Sequence, residues 1–146
     1  PLPTDFAGGL ATKFLIDEKE QAARRQTMQA ACQNCHAASW VNGHWQRFEN
    51  TIAETNAKTL AATRIMEDIW KLGLADREES IYNEVIERKW SETWLFYANT
   101  IRFASAMSGG GDYGVFADGR YHLSKTLLEL DDWLKLQKKL DAASKK

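Results

Sequence analysis

The sequence predicts an all-α protein built as an up-and-down bundle of long antiparallel helices. Three observations carry this. No proline occurs beyond residue 3, so nothing removes a helical N–H or forces a kink. Apolar residues recur at three- and four-residue spacing over long stretches, the period of an amphipathic helix. No segment shows the strict alternation of a half-buried strand.

The first helix is expected over about residues 17–31, a run rich in Glu, Gln, Ala, Arg and Met with Asp17, Glu18 and Glu20 at its acidic start. It leads into Cys32-Gln33-Asn34-Cys35-His36. The second helix is expected over about 37–72, with Trp40 or Val41, Trp45, Phe48, Ile52, Leu60, Ile65, Met66 and Ile69 on its apolar stripe and Gly73 as its stop. A third is expected from an N-cap at Asp76 or Ser80 to about 107, carrying Ile81, Val85, Ile86 or Trp90, Trp94, Tyr97, Ile101 and Met107. The glycine-rich stretch 108–112 breaks the pattern, and a last helix over about 121–140 presents Leu123, Leu127, Leu130 and Trp133 or Leu134. Short connections between such helices make consecutive neighbours antiparallel. At 1.5 Å per residue the second and third helices approach about 50 Å, long enough to call for further packing partners.

A chain of 146 residues, 44% of them hydrophobic, can bury one core, which predicts a single domain over 1–146. Nineteen basic residues against 20 acidic ones give a net charge of −1. That balance supplies no broad positive field, so neither a nucleic acid nor an anionic membrane surface is an expected partner. Apolar runs such as 94–97 fall far short of the roughly 20 residues of a membrane span. The first residues have neither the basic nor the apolar region of a secretory signal.

The two cysteines, Cys32 and Cys35, leave no thiol over for a disulfide framework. Cys-x-x-Cys-His is the attachment sequence of c-type haem. Two thiols three positions apart reach two vinyl groups on one porphyrin edge, and the next residue turns its imidazole under the iron. By chance the pattern would arise in a chain this long about once in a thousand. A thioredoxin-like pair would want a strand before it and a βαβ setting after it, and neither is visible. A zinc site from Cys32, Cys35 and two of His36, His44 and His122 is chemically allowed, but such sites organise small domains without a core. This chain has six tryptophans and long helices. The expected cofactor is therefore one haem c, bound covalently by Cys32 and Cys35 with His36 as axial iron ligand.

The other histidines differ in reach. On a helix continuous from His36, His44 would lie about 12 Å further along the axis and could not close over the same iron. It is either an ordinary histidine or an axial ligand of another haem brought by other sequence; Trp40, His44 and Phe48 share one helix face. His122 follows the glycine break, and is the one histidine of this chain free to return as a distal ligand. Met66 and Met107 are the methionine alternatives, and neither stands in a Pro/Gly-rich loop.

Arg24-Arg25-x-x-Met28-x-x-x-Cys32-x-x-Cys35-His36 with a long helix, a turn and a second long helix, the Trp90 and Trp94 pair, and Gly111-Asp112-Tyr113 together resemble a known family. The resemblance is to the C-terminal part of the octahaem hydroxylamine oxidoreductases and their hydrazine dehydrogenase relatives, and more distantly to the pentahaem ammonia-forming nitrite reductases. It implies an oxidoreductase part acting on small nitrogen compounds outside the cytoplasm, in the periplasm or an equivalent compartment such as the anammoxosome. It also implies further haems in a larger multihaem chain or in missing N-terminal sequence, a trimeric assembly, and a redox partner protein. In that family most haems have two histidine ligands and conduct electrons, while the catalytic haem lies upstream. In its oxidative members a tyrosine of a neighbouring subunit is cross-linked to that haem; the matching position is Tyr113, ahead of Tyr121. Phe116-Ala117-Asp118-Gly119 stands where the family has Trp-His-Gly, so the histidine of that motif is missing. Rival readings are a free-standing monohaem electron carrier, a reductase-type part, and a haem-bearing assembly or sensor module.

Overall fold

The computed structural model describes residues 15–77, 80, 82–108 and 115–144, without the side chains of 107, 108 and 115. Among them every regular element is helical: α1 (Glu18–Gln33), α2 (Ala38–Lys71), α3 (Val85–Glu92), α4 (Ala98–Ser108) and α5 (Tyr121–Ser144), with π-helical turns at Thr93–Tyr97 and Val115–Arg120. The first π-helical turn joins α3 to α4, so the three form one rod.

Local chemistry sets most of the boundaries. Asp17 is the N-cap of α1, its Oδ1 accepting from the Glu20 N–H at 2.7 Å. At the far end of α2 the Gly73 N–H donates to the Trp70 carbonyl and the Leu74 N–H to that of Ile69, the two bonds of a Schellman stop. Gly73 has φ +67°, a conformation open to glycine at little cost. The third rod starts later than expected, and neither Asp76 nor Ser80 caps it. Ser80 Oγ instead accepts from the Tyr82 N–H, and the Asp76 N–H donates to Glu84 Oε1. Glu84 is the N-cap, and its own N–H donates to Glu87 Oε2 at 3.0 Å, the return arm of a capping box.

Pairings along the rods fix their directions. Asn56 and Thr63 of α2 meet Arg102 and Trp90, so the α3–α4 rod runs antiparallel to α2. Arg120 and Ser124 reach Thr51 and Lys58, so α5 runs parallel to α2 and, through the Lys89–Glu129 ion pair, antiparallel to the middle rod. The core holds Ala62, Met66, Ile69, Ile86, Trp90, Leu130 and Leu134, with Trp70, Trp94, Leu127 and Trp133 packed against it. A second cluster joins Ile101 to Leu123.

The buried face of α2 departs from the expected stripe. In its middle it is a column of threonines, Thr51, Thr55, Thr59 and Thr63, all buried. Thr55, Thr59 and Thr63 each donate a hydroxyl to the carbonyl four residues back, at 2.7–2.8 Å, which leaves the methyl free to pack. Ile52, Leu60 and Ile65 flank the column half-buried, and Trp40 is exposed. Val85, also expected on an apolar face, is exposed.

α1 differs from the rest of the bundle. It folds back along α2 antiparallel, held by the Arg25–Glu49 ion pair and by Arg25 over the Trp45 ring, yet buries none of its residues. Between the two helices lies a cleft of about 820 Å³ lined by Ala22, Met28, Trp45, Phe48, Ile52 and Ala53, with Arg24, Arg25 and Glu49 among its polar neighbours.

Candidate functional site

The two cysteines stand at the tip of the α1–α2 hairpin. Cys32 ends the last full turn of α1 and Cys35 lies just beyond it; the N–H groups of Cys35 and His36 both donate to the Cys32 carbonyl. This tight turn keeps both thiols and the imidazole on one short piece of chain. Cys32 is half-buried, Cys35 is exposed, and neither is in a disulfide.

Beside them Met28, Cys32, His36, Trp40, His44, Trp45, Phe48 and Ala106 line a pocket of about 300 Å³. It shares Met28, Trp45 and Phe48 with the larger α1–α2 cleft, and each volume falls in the range of small-molecule and cofactor sites. The rings form a connected set. His36 stacks on Trp40 at 4.0 Å between centroids and 17° between planes, and Trp40 stacks on His44 at 5.4 Å and 13°. Trp45 meets His44 and Phe48 edge-on, at 6.5 Å and 5.7 Å. The helix is not continuous from His36, because the chain turns before α2 begins, and this turn brings the His36 ring onto Trp40.

A flat apolar macrocycle carrying carboxylates fits this lining. The walls are aromatic and thioether surface, and the Trp45 indole N–H is buried without an acceptor, a donor for a group of the kind such a macrocycle carries. Arg24 and Arg25 stand at the rim of the cleft. Sequence spacing had placed Trp40, His44 and Phe48 on one face; Trp45's donor and Ala106, from the far end of α4, are contributions that only the tertiary packing brings in.

The remaining site residues lie elsewhere. His122, at the start of α5, stacks on Tyr97 at 5.2 Å and meets Tyr121 edge-on at 5.3 Å. Its neighbours Arg120 and Ser124 are bonded to Thr51 and Lys58, well along α2 from His36, and it does not line the pocket. Met66 is fully buried in the core. Tyr113, Gly111 and Asp112, the Met107 side chain and Ile81 lie outside the described residues. Among the described residues no group of three or more His, Cys, Asp or Glu converges as a metal site.

One solved structure is similar along most of this length. It is described as a "Hypothetical multiheme protein", 35% identical, with a TM-score of 0.76 over 88% of this chain. The chain resembles part of a multihaem protein. It spans 25% of that protein's length. No family model and no curated protein matches the sequence.

Proposed function

We propose that this chain is the electron-conducting, last-haem portion of a multihaem oxidoreductase acting on small nitrogen compounds, of the hydroxylamine or hydrazine oxidation type. The observation that supports it best is that Cys32 and His36 line an aromatic pocket, with Cys35 on the same tight turn beside them, in a chain matching a quarter of a multihaem protein. Cys32 and Cys35 would hold the haem through thioethers, each thiol adding across one vinyl group with its sulfur on one carbon and its hydrogen on the other and no net oxidation, and His36 would offer a ring nitrogen to the iron. A bound haem would supply one-electron chemistry at that iron. Met28, Trp45 and Phe48 would keep water from the macrocycle, and burial of this kind is one of the protein's means of setting a haem's potential. Haem would also give α1 the apolar partner it lacks along α2.

The second ligand to this haem's iron would be His122, here stacked on Tyr97, or a histidine of the larger multihaem part. His44 would be available to the iron of a neighbouring haem carried there. The catalytic haem would belong to that part too, and Tyr113, outside the described residues, would be the cross-linked position from a neighbouring subunit of a trimer. Exposed apolar side chains favour such assembly: Phe103 is 77% exposed and Leu128 64%, with Phe96, Leu136 and Leu140 also in the open. Among the described residues no helix is long and apolar enough to cross a membrane. The compartment is the periplasm or its equivalent, where c-type haem is attached and a redox partner accepts the electrons.

The test is haem retention. Expressed with a haem-attachment system, the full chain should keep its haem through denaturing electrophoresis and gain the mass of one haem, and Cys35→Ala should weaken or abolish attachment. A zinc-loaded chain without a Soret band would overturn the reading. Co-purification with a larger multihaem chain would separate a part of an enzyme from a lone carrier, which would run near its own 16.6 kDa.

A further inference from the structure

The ring ladder at the start of α2 has a feature that haem attachment alone does not require. Trp40 stacks nearly parallel on two imidazoles at once, His36 at 4.0 Å and His44 at 5.4 Å. It belongs to neither core cluster and is 47% exposed, so its indole is not there to close the bundle. Its backbone is nonetheless fixed. It occupies the first turn of α2, beside the fully buried Val41, whose N–H donates to the Ala37 carbonyl at 3.1 Å. His44, one turn further on, is also held from the side by the edge of Trp45. A large flat side chain on a rigid turn, with an imidazole stacked on it from each direction of the chain, limits the rotation of both rings.

We propose that Trp40 is a positioning residue shared by two iron sites, setting the ring plane of His36 for the haem attached through Cys32 and Cys35 and that of His44 for a second haem. The inference rests on the haem reading above and adds to it a specific coupling. An imidazole's orientation about its metal bond is set by what touches the ring, and ligand orientation tunes both affinity and electronic properties. The two centroid spacings bound the separation of the imidazoles, so the two irons are served from within one short aromatic stack. The chemical class recognised at His44 is an iron tetrapyrrole with an open axial position.

The experiment uses the full, haem-loaded chain, with iron(III) protoporphyrin IX added as the probe for the second site. Wild type should take up one further equivalent, and His44→Ala should lose that uptake while keeping its covalent haem. Trp40→Ala should weaken uptake about tenfold, the scale on which residues supporting a metal ligand act. It should also broaden or split the iron–histidine stretching band of the covalent haem, recorded by resonance Raman after photolysis of its carbon monoxide complex. Trp40→Phe, which keeps a flat ring at the same place, should restore the single band and most of the uptake. Far-ultraviolet circular dichroism should not change in any of the three variants, since none of these side chains is in the core. An unchanged band or unchanged uptake in Trp40→Ala would overturn the positioning role, and uptake by His44→Ala equal to wild type would overturn the second site. A wild-type chain with no covalent haem at all would take down the underlying reading, an outcome visible before any variant is made.

Discussion

Glu87 is a fully buried carboxylate at the start of the middle rod, and its removal should be among the most damaging single changes in the bundle. Its Oε1 accepts from the Trp70 indole N–H at 2.6 Å and its Oε2 from the Glu84 backbone N–H at 3.0 Å. Glu87→Ala leaves both donors without a partner. An orphaned buried donor costs about 1–3 kcal/mol; water can reach Glu84 more easily than the indole, so the expected loss is about 2–4 kcal/mol in total. Glu87→Gln keeps one acceptor oxygen and replaces the other with a donor, so one of the two bonds survives and the loss should be about half as large. Urea unfolding of the full chain, followed by circular dichroism, reads this as a lower midpoint at unchanged slope. The opposing term is the desolvation of a charge, which can make a buried carboxylate a net burden. If Glu87→Met is as stable as wild type, or Glu87→Gln falls as far as Glu87→Ala, the two-donor account is wrong.

Three further outcomes are expected. A Cβ on Gly119 would stand 2.4 Å from Ile101 Cγ1, so Gly119→Ala should destabilise by about 1–3 kcal/mol, and adding Ile101→Ala should cost less in that background than in wild type, measured as a double-mutant cycle. Hydrogen bonds from Lys89 and Lys125 hold the Glu129 carboxyl below its ordinary value. Its contribution is then present above the unfolded carboxyl's pKa of about 4.3 and lost as pH falls through the lower folded value, so Glu129→Gln should flatten the acid limb of a stability–pH curve. Finally, if the oxidative reading holds, the native assembly should show a haem-containing band heavier than one subunit on a denaturing gel, and Tyr113→Phe should remove it while the Cys32 and Cys35 haem stays in place; a wild-type assembly that separates into unlinked chains would refute the cross-link.

The parts of the molecule set by short-range chemistry were legible in the sequence. Asp17 before an acidic turn, Gly73 after a periodic run, and Cys-x-x-Cys-His each act within a few residues of themselves, and the helix ends follow them. The start of the middle rod was not legible, because Glu84 is a poor cap by type. It works there through Glu87 in the next turn and through its bond to Asp76, eight residues earlier. The threonine column was hidden for a related reason: a hydroxyl counts as polar in a periodicity, but one that donates to its own helix presents mainly a methyl to the neighbour. His122 shows the limit most clearly. Its place is decided by the register of α5 against α2 and by Tyr97, contacts across the bundle that no local pattern encodes.

The two halves of α2 differ in what they pack against. Its C-terminal half carries Ala62, Met66 and Ile69 into a core shared with Trp90, Leu130 and Leu134. Its N-terminal stretch carries Trp40, His44, Trp45 and Phe48, whose principal companions are one another and a helix with no buried residue. Burial of apolar surface supplies most of a fold's stability, so the bundle draws little of its own from the aromatic end. Changes there are expected to leave the fold intact, whereas Trp90 or Glu87 cannot be replaced so freely. The division makes the aromatic end and the core separable in measurement through the variants proposed for Trp40 and Glu87.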